Sequence, residues 1–137
     1  MSENNAVEKP QPKITRCAQP YWQSCLQEKL SLPYCKACDA VFYYPRLWCP
    51  GCFNQDLDWK TVSGRGRVYS YSVVHQSPLP SYQQDVPYVL AVIELEEGPR
   101  MMTNVINCDV DAVHVDMPVA VTFEQRGDMK IPQFQPE

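Results

Sequence analysis

No apolar run among these 137 residues is long enough to cross a bilayer, and the N-terminus carries no signal-peptide pattern. No membrane partner is expected. Basic charge is also short, with 12 Lys and Arg against 16 Asp and Glu, a net charge of -4 and a pI near 5.1. A nucleic-acid binder usually shows a positive field that displaces counterions from phosphates, so no nucleic-acid partner is expected. Histidine is scarce: His75 and His114 are the only two. No phosphate loop, dinucleotide fingerprint or nucleophile elbow occurs. What is present is a globular composition, 45% hydrophobic and 20% charged, which can bury a core. The length suits one compact domain with a small appendage.

Cysteine carries the strongest signal. Cys35 and Cys38 are separated by two residues, as are Cys49 and Cys52, and ten residues lie between the pairs. Each spacing lets a tight turn aim two sulfurs at one point, and two such knuckles form a tetrahedral four-thiolate cage. Pro50 and Gly51 sit where the second knuckle must turn. The reading is a structural zinc ribbon. A closed cage leaves no open coordination position for a substrate, so it supports folding or docking rather than catalysis. Iron in a rubredoxin-like electron carrier would use the same ligands. The full count of seven cysteines is odd, which speaks against a secreted disulfide framework and for a reducing cytoplasm. Cys17, Cys25 and Cys108 read as small apolar residues.

Residues 1–14 are polar, with Pro10 and Pro12, and read as a disordered tail. Residues 15–59 form the next unit. Within it Tyr21, Trp22, Cys25, Leu26 and Leu30 recur at helical intervals after Pro20. This amphipathic helix, residues 20–30, is expected to lie outside the main core and to bury its stripe on the ribbon or on a partner protein. Residues 41–44 read as a strand between the knuckles. The ribbon is too small to bury Phe42, Tyr43, Tyr44 and Trp48 alone; they pack on the next domain or form an aromatic docking face.

Residues 60–137 read as all-β. In 67–76, Tyr69, Tyr71, Val73 and His75 share one face. Residues 88–95 are almost continuously apolar, as in a strand covered on both sides. Gly98 supplies positive φ in the turn that follows. Strands at 100–106, 118–124 and 131–134, with a helical turn at 109–114, complete a five-stranded Greek-key barrel of the OB-fold type. The fold class is mainly β: a helix and zinc ribbon, then this barrel.

The catalytic inventory is poor, and no catalytic residue is assigned. His75 reads as a barrel-rim residue and His114 as solvated. Cys108 lacks a placed base. Glu94, Glu96 and Glu97 fringe a hairpin turn rather than form an acid–base pair. Ser63-Gly64-Arg65-Gly66 has two readings. Its exposed backbone N–H groups, with Arg65 and Arg67, suit a phosphorylated ligand such as a coenzyme A thioester. It also suits a linker that bends between ribbon and barrel.

Together these residues resemble a known family. The resemblance is carried by Cys35-x-x-Cys38, Pro45-Arg46, Cys49-Pro50-x-Cys52 and Trp59, then by Ser63-Gly64-Arg65-Gly66-x-Val68-x-Ser70-Tyr71 and Val73-Val74-His75. Pro87-Tyr88, Leu95-Glu96-Glu97-Gly98 with Arg100-Met101-Met102, and Met117-Pro118-Val119 with Phe123 extend it. The family pairs a rubredoxin-like zinc ribbon with an acyl-CoA-associated OB-fold, a domain-of-unknown-function family. Asp116 stands where the family pattern has glycine, which bears on the local turn. The resemblance implies an accessory subunit, inactive alone, in a hetero-oligomer with a thiolase-like enzyme of lipid or steroid metabolism. Such partners include sterol-carrier-type thiolases, the archaeal thiolase and HMG-CoA synthase assembly, and thiolase-like aldolases of steroid side-chain breakdown. It further implies a barrel that helps form the partner's coenzyme A channel. The other classes are a single-stranded nucleic-acid module, since aromatic strands can stack on bases, and the iron electron carrier.

Overall fold

The computed structural model describes residues 8–137. Of the expected tail, residues 1–7 lie outside the described ones. Residues 8–14 have no regular structure, but they touch the barrel: the Gln11 side-chain amide donates to the Arg126 carbonyl at 2.9 Å.

Helix α1 spans Gln19–Leu26, with Pro20 in its first turn, where its missing N–H costs nothing. It is shorter than the stripe predicted. Glu28 takes a left-handed φ of 59° and turns the chain, so Leu30 is buried beyond the helix rather than on it. The expectation that α1 lies outside the core is overturned. Tyr21 and Cys25 are one turn apart, and with Trp22 and Ala18 they join the same buried cluster as Val68, Ile93 and Phe134 of the barrel. The helix packs on a ribbon strand and on the last barrel strand.

Three short strands build the ribbon: β1 (Ser31–Cys35), β2 (Ala40–Val41) and β3 (Leu57–Thr61). They form an antiparallel sheet in the order β2-β1-β3. β2 is only two residues long, so the strand expected over 41–44 does not extend past Val41. Tyr43 and Tyr44 instead turn toward α1, where Tyr21 and Tyr44 lie 5.7 Å apart edge to face and Trp22 Nε1–H donates to the Tyr44 hydroxyl at 3.1 Å. β3 crosses the boundary drawn at 59/60, pairing Thr61 with Ser31.

The barrel comprises β4 (Arg65–Val74), β5 (Tyr88–Leu95), β6 (Arg100–Val105), β7 (Pro118–Arg126) and β8 (Met129–Pro136). It closes in the order β4-β5-β6-β8-β7, with β4 paired to β7. All pairings are antiparallel except β6 with β8, which meet in parallel at Val105 and Phe134. This is the five-stranded OB-fold barrel read from the sequence.

Two strand expectations change. A bulge between Val68 and Ser70 breaks the alternation of β4. Tyr69 therefore leaves the face of Tyr71, and its ring lies 3.8 Å from the Arg100 guanidinium. Strand β5 is covered on one face only. Val89, Ala91, Ile93 and Leu95 are buried, whereas Leu90 is 37% exposed. An antiparallel barrel strand turns alternate residues outward, whatever their polarity.

Phe134, Leu30, Leu32, Ile93, Val68 and Val119 fill the interior with Tyr21. Because Tyr21 is only 1% exposed within this chain, Tyr21→Ala is expected to destabilise the isolated protein by about 3–5 kcal/mol, as for other buried aromatics. Urea denaturation of the metal-loaded chain measures it. A helix reserved for a partner would show almost no loss.

Candidate metal centre and its surroundings

Strand β1 ends at Cys35, whose partners across the sheet are Ala40 and Leu57. The chain then turns, and the Cys38 N–H points at Cys35 Sγ at 3.4 Å. The second knuckle repeats the device, with the Gly51 N–H 3.3 Å from Cys49 Sγ. Cys49 N–H donates to the Asn54 carbonyl at 2.9 Å and Phe53 N–H to the Cys49 carbonyl at 2.8 Å, closing this loop on itself. Each knuckle ends one residue past its second cysteine in a left-handed conformation, at Asp39 (φ 53°) and Phe53 (φ 63°). Asp tolerates that region, whereas Phe seldom adopts it. The turn predicted at Gly51 is thus completed two residues later.

The four sulfurs of Cys35, Cys38, Cys49 and Cys52 all lie within 4.8 Å of one another. Cys35 and Cys52 are 3.6 Å apart and Cys38 and Cys49 3.9 Å. Zinc–sulfur bonds of about 2.3 Å give a tetrahedron edge of about 3.8 Å. The donor set therefore fits a tetrahedral thiophilic cation. Cys35 and Cys49 are buried and Cys38 and Cys52 face outward. Beneath them, Phe42 and Leu57 pack around the two buried cysteines.

The thiol acidities point the same way. Backbone N–H groups, first that of Cys52 and then that of Gly51, hold the Cys49 thiol at about 7 against the opposing effect of burial. Hydrogen bonds with Cys52, Cys49 and Cys35 push the Cys38 thiol up to about 12. Four thiolates this close cannot ionise together without a cation among them.

The segment Ser63-Gly64-Arg65-Gly66 lies between ribbon and barrel, away from the cysteines in sequence. Packing explains both glycines. Gly64 has a φ of 76°, and a Cβ there would meet Val121 Cγ1 at 2.5 Å. A Cβ on Gly66 would meet the Glu94 carbonyl oxygen at 2.5 Å. Ser63 Oγ accepts the Arg65 N–H at 3.1 Å, and the Ser63 N–H donates to Glu97 at 2.8 Å. The arginines meet carboxylates: Arg65 meets Glu137 at 3.5 Å, and Arg67 meets both Glu94 and Asp116.

The acidic hairpin is an ion-pair hub. Hydrogen bonds from Arg67 and Arg100 hold the Glu94 carboxyl below its usual range. Asp116 takes a φ of 70°, a conformation that glycine adopts most easily and Asp tolerates, and its carboxylate receives Arg67. His75 and His114 are exposed. Burial, then Asp109, push the half-buried Cys108 thiol up, the wrong direction for a nucleophile. The sequence reading offered Trp48 to an aromatic docking face, but it missed the exposed Leu47 and Phe53 beside it, and a cleft. Leu47, Trp48 and Phe53 stand exposed beside the second knuckle, at 64%, 43% and 70%. A cleft of about 320 Å³ opens at one end of the barrel. Among the described residues no helix is long and apolar enough to cross a membrane.

A four-cysteine ribbon fused to a closed five-stranded barrel defines a two-module protein of the ribbon and OB-fold class. The family model for the ChsH2 rubredoxin-like zinc ribbon domain matches residues 22–58, and that for the ChsH2 C-terminal OB-fold domain matches residues 59–124. The chain belongs to this ChsH2 (DUF35) family. It is 34% identical over 129 residues to a probable enoyl-CoA hydratase alpha subunit of Thermomonospora curvata, covering 93% of this chain but 40% of that protein. It is 38% identical over 92 residues to a DUF35 domain-containing scaffold protein of Methanocaldococcus jannaschii, 66% of this chain and 64% of the relative. A benzoylsuccinyl-CoA thiolase subunit, BbsA, of Geobacter metallireducens is 27% identical over 97 residues, 67% of this chain and 63% of that one. Among solved structures, a chain of the Ltp2-ChsH2(DUF35) aldolase superposes with a TM-score of 0.82 at 33% identity, covering 92% of this chain and 98% of that chain. The chain thus spans less than two thirds of each of these curated relatives.

Metal analysis of the purified chain is expected to give one zinc per molecule. Substituting cobalt should produce sulfur-to-metal charge-transfer bands, and Cys49→Ser should abolish them. Binding requires thiolates, so metal affinity falls as pH falls and is lost first in acid. A red, reversibly bleached protein would instead identify iron.

Proposed function

We propose that this protein is a non-catalytic accessory subunit that docks on and stabilises a thiolase-like acyl-CoA enzyme. In this reading Cys35, Cys38, Cys49 and Cys52 hold a structural zinc. The observation that carries the reading is the end-to-end likeness to the Ltp2-ChsH2(DUF35) aldolase chain, ribbon and barrel together. Relatives named as scaffold protein and thiolase subunit agree with it.

The chemistry of the chain supports the same view. Among the described residues four of the seven cysteines form one closed cage, and the two histidines are exposed. Acyl-CoA is then chiefly the partner's ligand. Glu94, Glu96, Asp116 and Glu137 surround Arg65 and Arg67 and would repel its phosphates. Ser63-Gly64-Arg65-Gly66 therefore serves as the bend between modules rather than as a phosphate cradle. Seven cysteines without a disulfide suit a reducing cytoplasm.

A second reading keeps the role and changes the partner. The likeness to an enoyl-CoA hydratase alpha subunit, of which this chain spans 40%, points to a hydratase.

The test is affinity capture of the tagged chain from its native host, with mass spectrometry of what co-purifies. A stoichiometric thiolase-like protein is the expected outcome, and a hydratase subunit would establish the second reading. Acyl-CoA turnover by the pure, partner-free chain would overturn the non-catalytic role.

A further inference from the structure

We propose that the cleft at one end of the barrel binds a neutral molecule of one or two rings that carries a hydrogen-bonding oxygen. The cleft lies between the start of β5, the end of β6, the Val110–Ala112 turn and the end of β7. Buried Val89 and Val105 form its apolar base, and Ile106 and Val110 add half-buried aliphatic surface. Tyr82 and Tyr88 line it too, with ring centroids 5.8 Å apart. An apolar cavity of about 150 Å³ accepts benzene. A cleft of about 320 Å³ therefore has room for roughly two rings.

Charge decides the ligand's class. Four charged side chains border the cleft, and they neutralise one another. Lys9 lies 2.6 Å from Asp85 and 3.9 Å from Glu124, and Arg126 lies 2.8 Å from Glu124. Two cations against two anions leave no net field to attract an ion, and an ionic ligand would have to break these pairs. Hydrogen-bonding capacity remains. The tyrosines carry hydroxyls, and Asn104 donates from its amide to the Val89 carbonyl at 2.9 Å, which leaves its own carbonyl oxygen as an acceptor. The Cys108 thiol on the wall is pushed up by burial and then by Asp109, which does not favour a thiolate there.

One wall is the N-terminal strap. Lys9 sits 5.1 Å over the Tyr82 ring, and the Pro10 carbonyl accepts from Arg126 at 3.4 Å. Gln11 is seated against Gly127, where a Cβ would come within 1.9 Å of its side-chain nitrogen. The strap is therefore fitted to this end of the barrel rather than draped over it.

The experiment titrates the full, metal-loaded chain with Prodan, a neutral naphthalene ketone whose emission shifts blue in apolar surroundings. A saturable 1:1 blue shift is expected, weakened about tenfold by Val110→Trp, which fills the cleft, and released several-fold faster from Lys9→Ala, which opens the strap wall. Melting curves establish that each variant is folded, and a change in either one supports the site. No saturable shift, or one unchanged in both variants, overturns it. Equally tight binding of anilinonaphthalenesulfonate, an anion of similar size, overturns the neutral class. The test needs no partner protein, so its result stands apart from the accessory-subunit reading.

Discussion

The burial of one face of α1 is the contact on which the remaining architecture depends. The ribbon cannot close its own core. The ribbon sheet has strands of only two to five residues, far too little surface to bury Tyr43 and Tyr44 by itself. Tyr21, Trp22 and Cys25 fill that gap on one side and lie against β8 on the other. The result is one continuous buried cluster running from Leu32 in the ribbon to Phe134 in the barrel. A second, smaller cluster under the cysteines contains only Cys35, Phe42 and Cys49 as buried members. That end has almost no apolar core, so a cross-link through the sulfurs is what can hold it.

Charge shapes the barrel surface by mutual satisfaction rather than by field. Arg67 and Arg100 converge on Glu94, and Asp116 shares Arg67. Exposed pairs of this sort contribute little to stability each. Their larger effect is to remove free cations from the surface around the Gly64–Gly66 bend. With a net charge of -4 and these arginines paired, little positive potential remains there to gather phosphates.

Much of this was legible in the residues, for identifiable reasons. Cysteine spacing is a local constraint, and the structure brings those four sulfurs together. Strand count and order were readable because turns at Gly98 and around the helical turn punctuate apolar runs. The errors came where a tertiary choice overrides a local pattern. The stripe of α1 looks the same whether the chain itself or a partner covers it. The bulge at Tyr69 leaves no residue-type signature and flips one aromatic to the other face. An apolar outer residue such as Leu90 makes β5 look doubly covered. Asp116 is another case: its departure from glycine put the local turn in question, and the structure keeps the turn with Asp116 itself at a left-handed φ of 70°. The barrel-end cleft was invisible because its lining comes from five separated segments, each ordinary alone.

On the accessory-subunit reading, the metal cage would serve docking by fixing the ribbon tip. Leu47, Trp48 and Phe53 are exposed on either side of the knuckle that Cys49 and Cys52 form, and Phe53 is held in a backbone conformation that such a residue rarely adopts. Displaying large apolar groups in water is unfavourable, and a loop free to move would fold them inward. A metal-tied knuckle, with Cys49 and Asn54 bonded across it, cannot. Binding to a rigid surface costs less conformational entropy than binding to a mobile one. On the accessory-subunit reading, the cage therefore acts at a distance from any chemistry. It fixes in advance the apolar residues that a partner would otherwise have to order on contact.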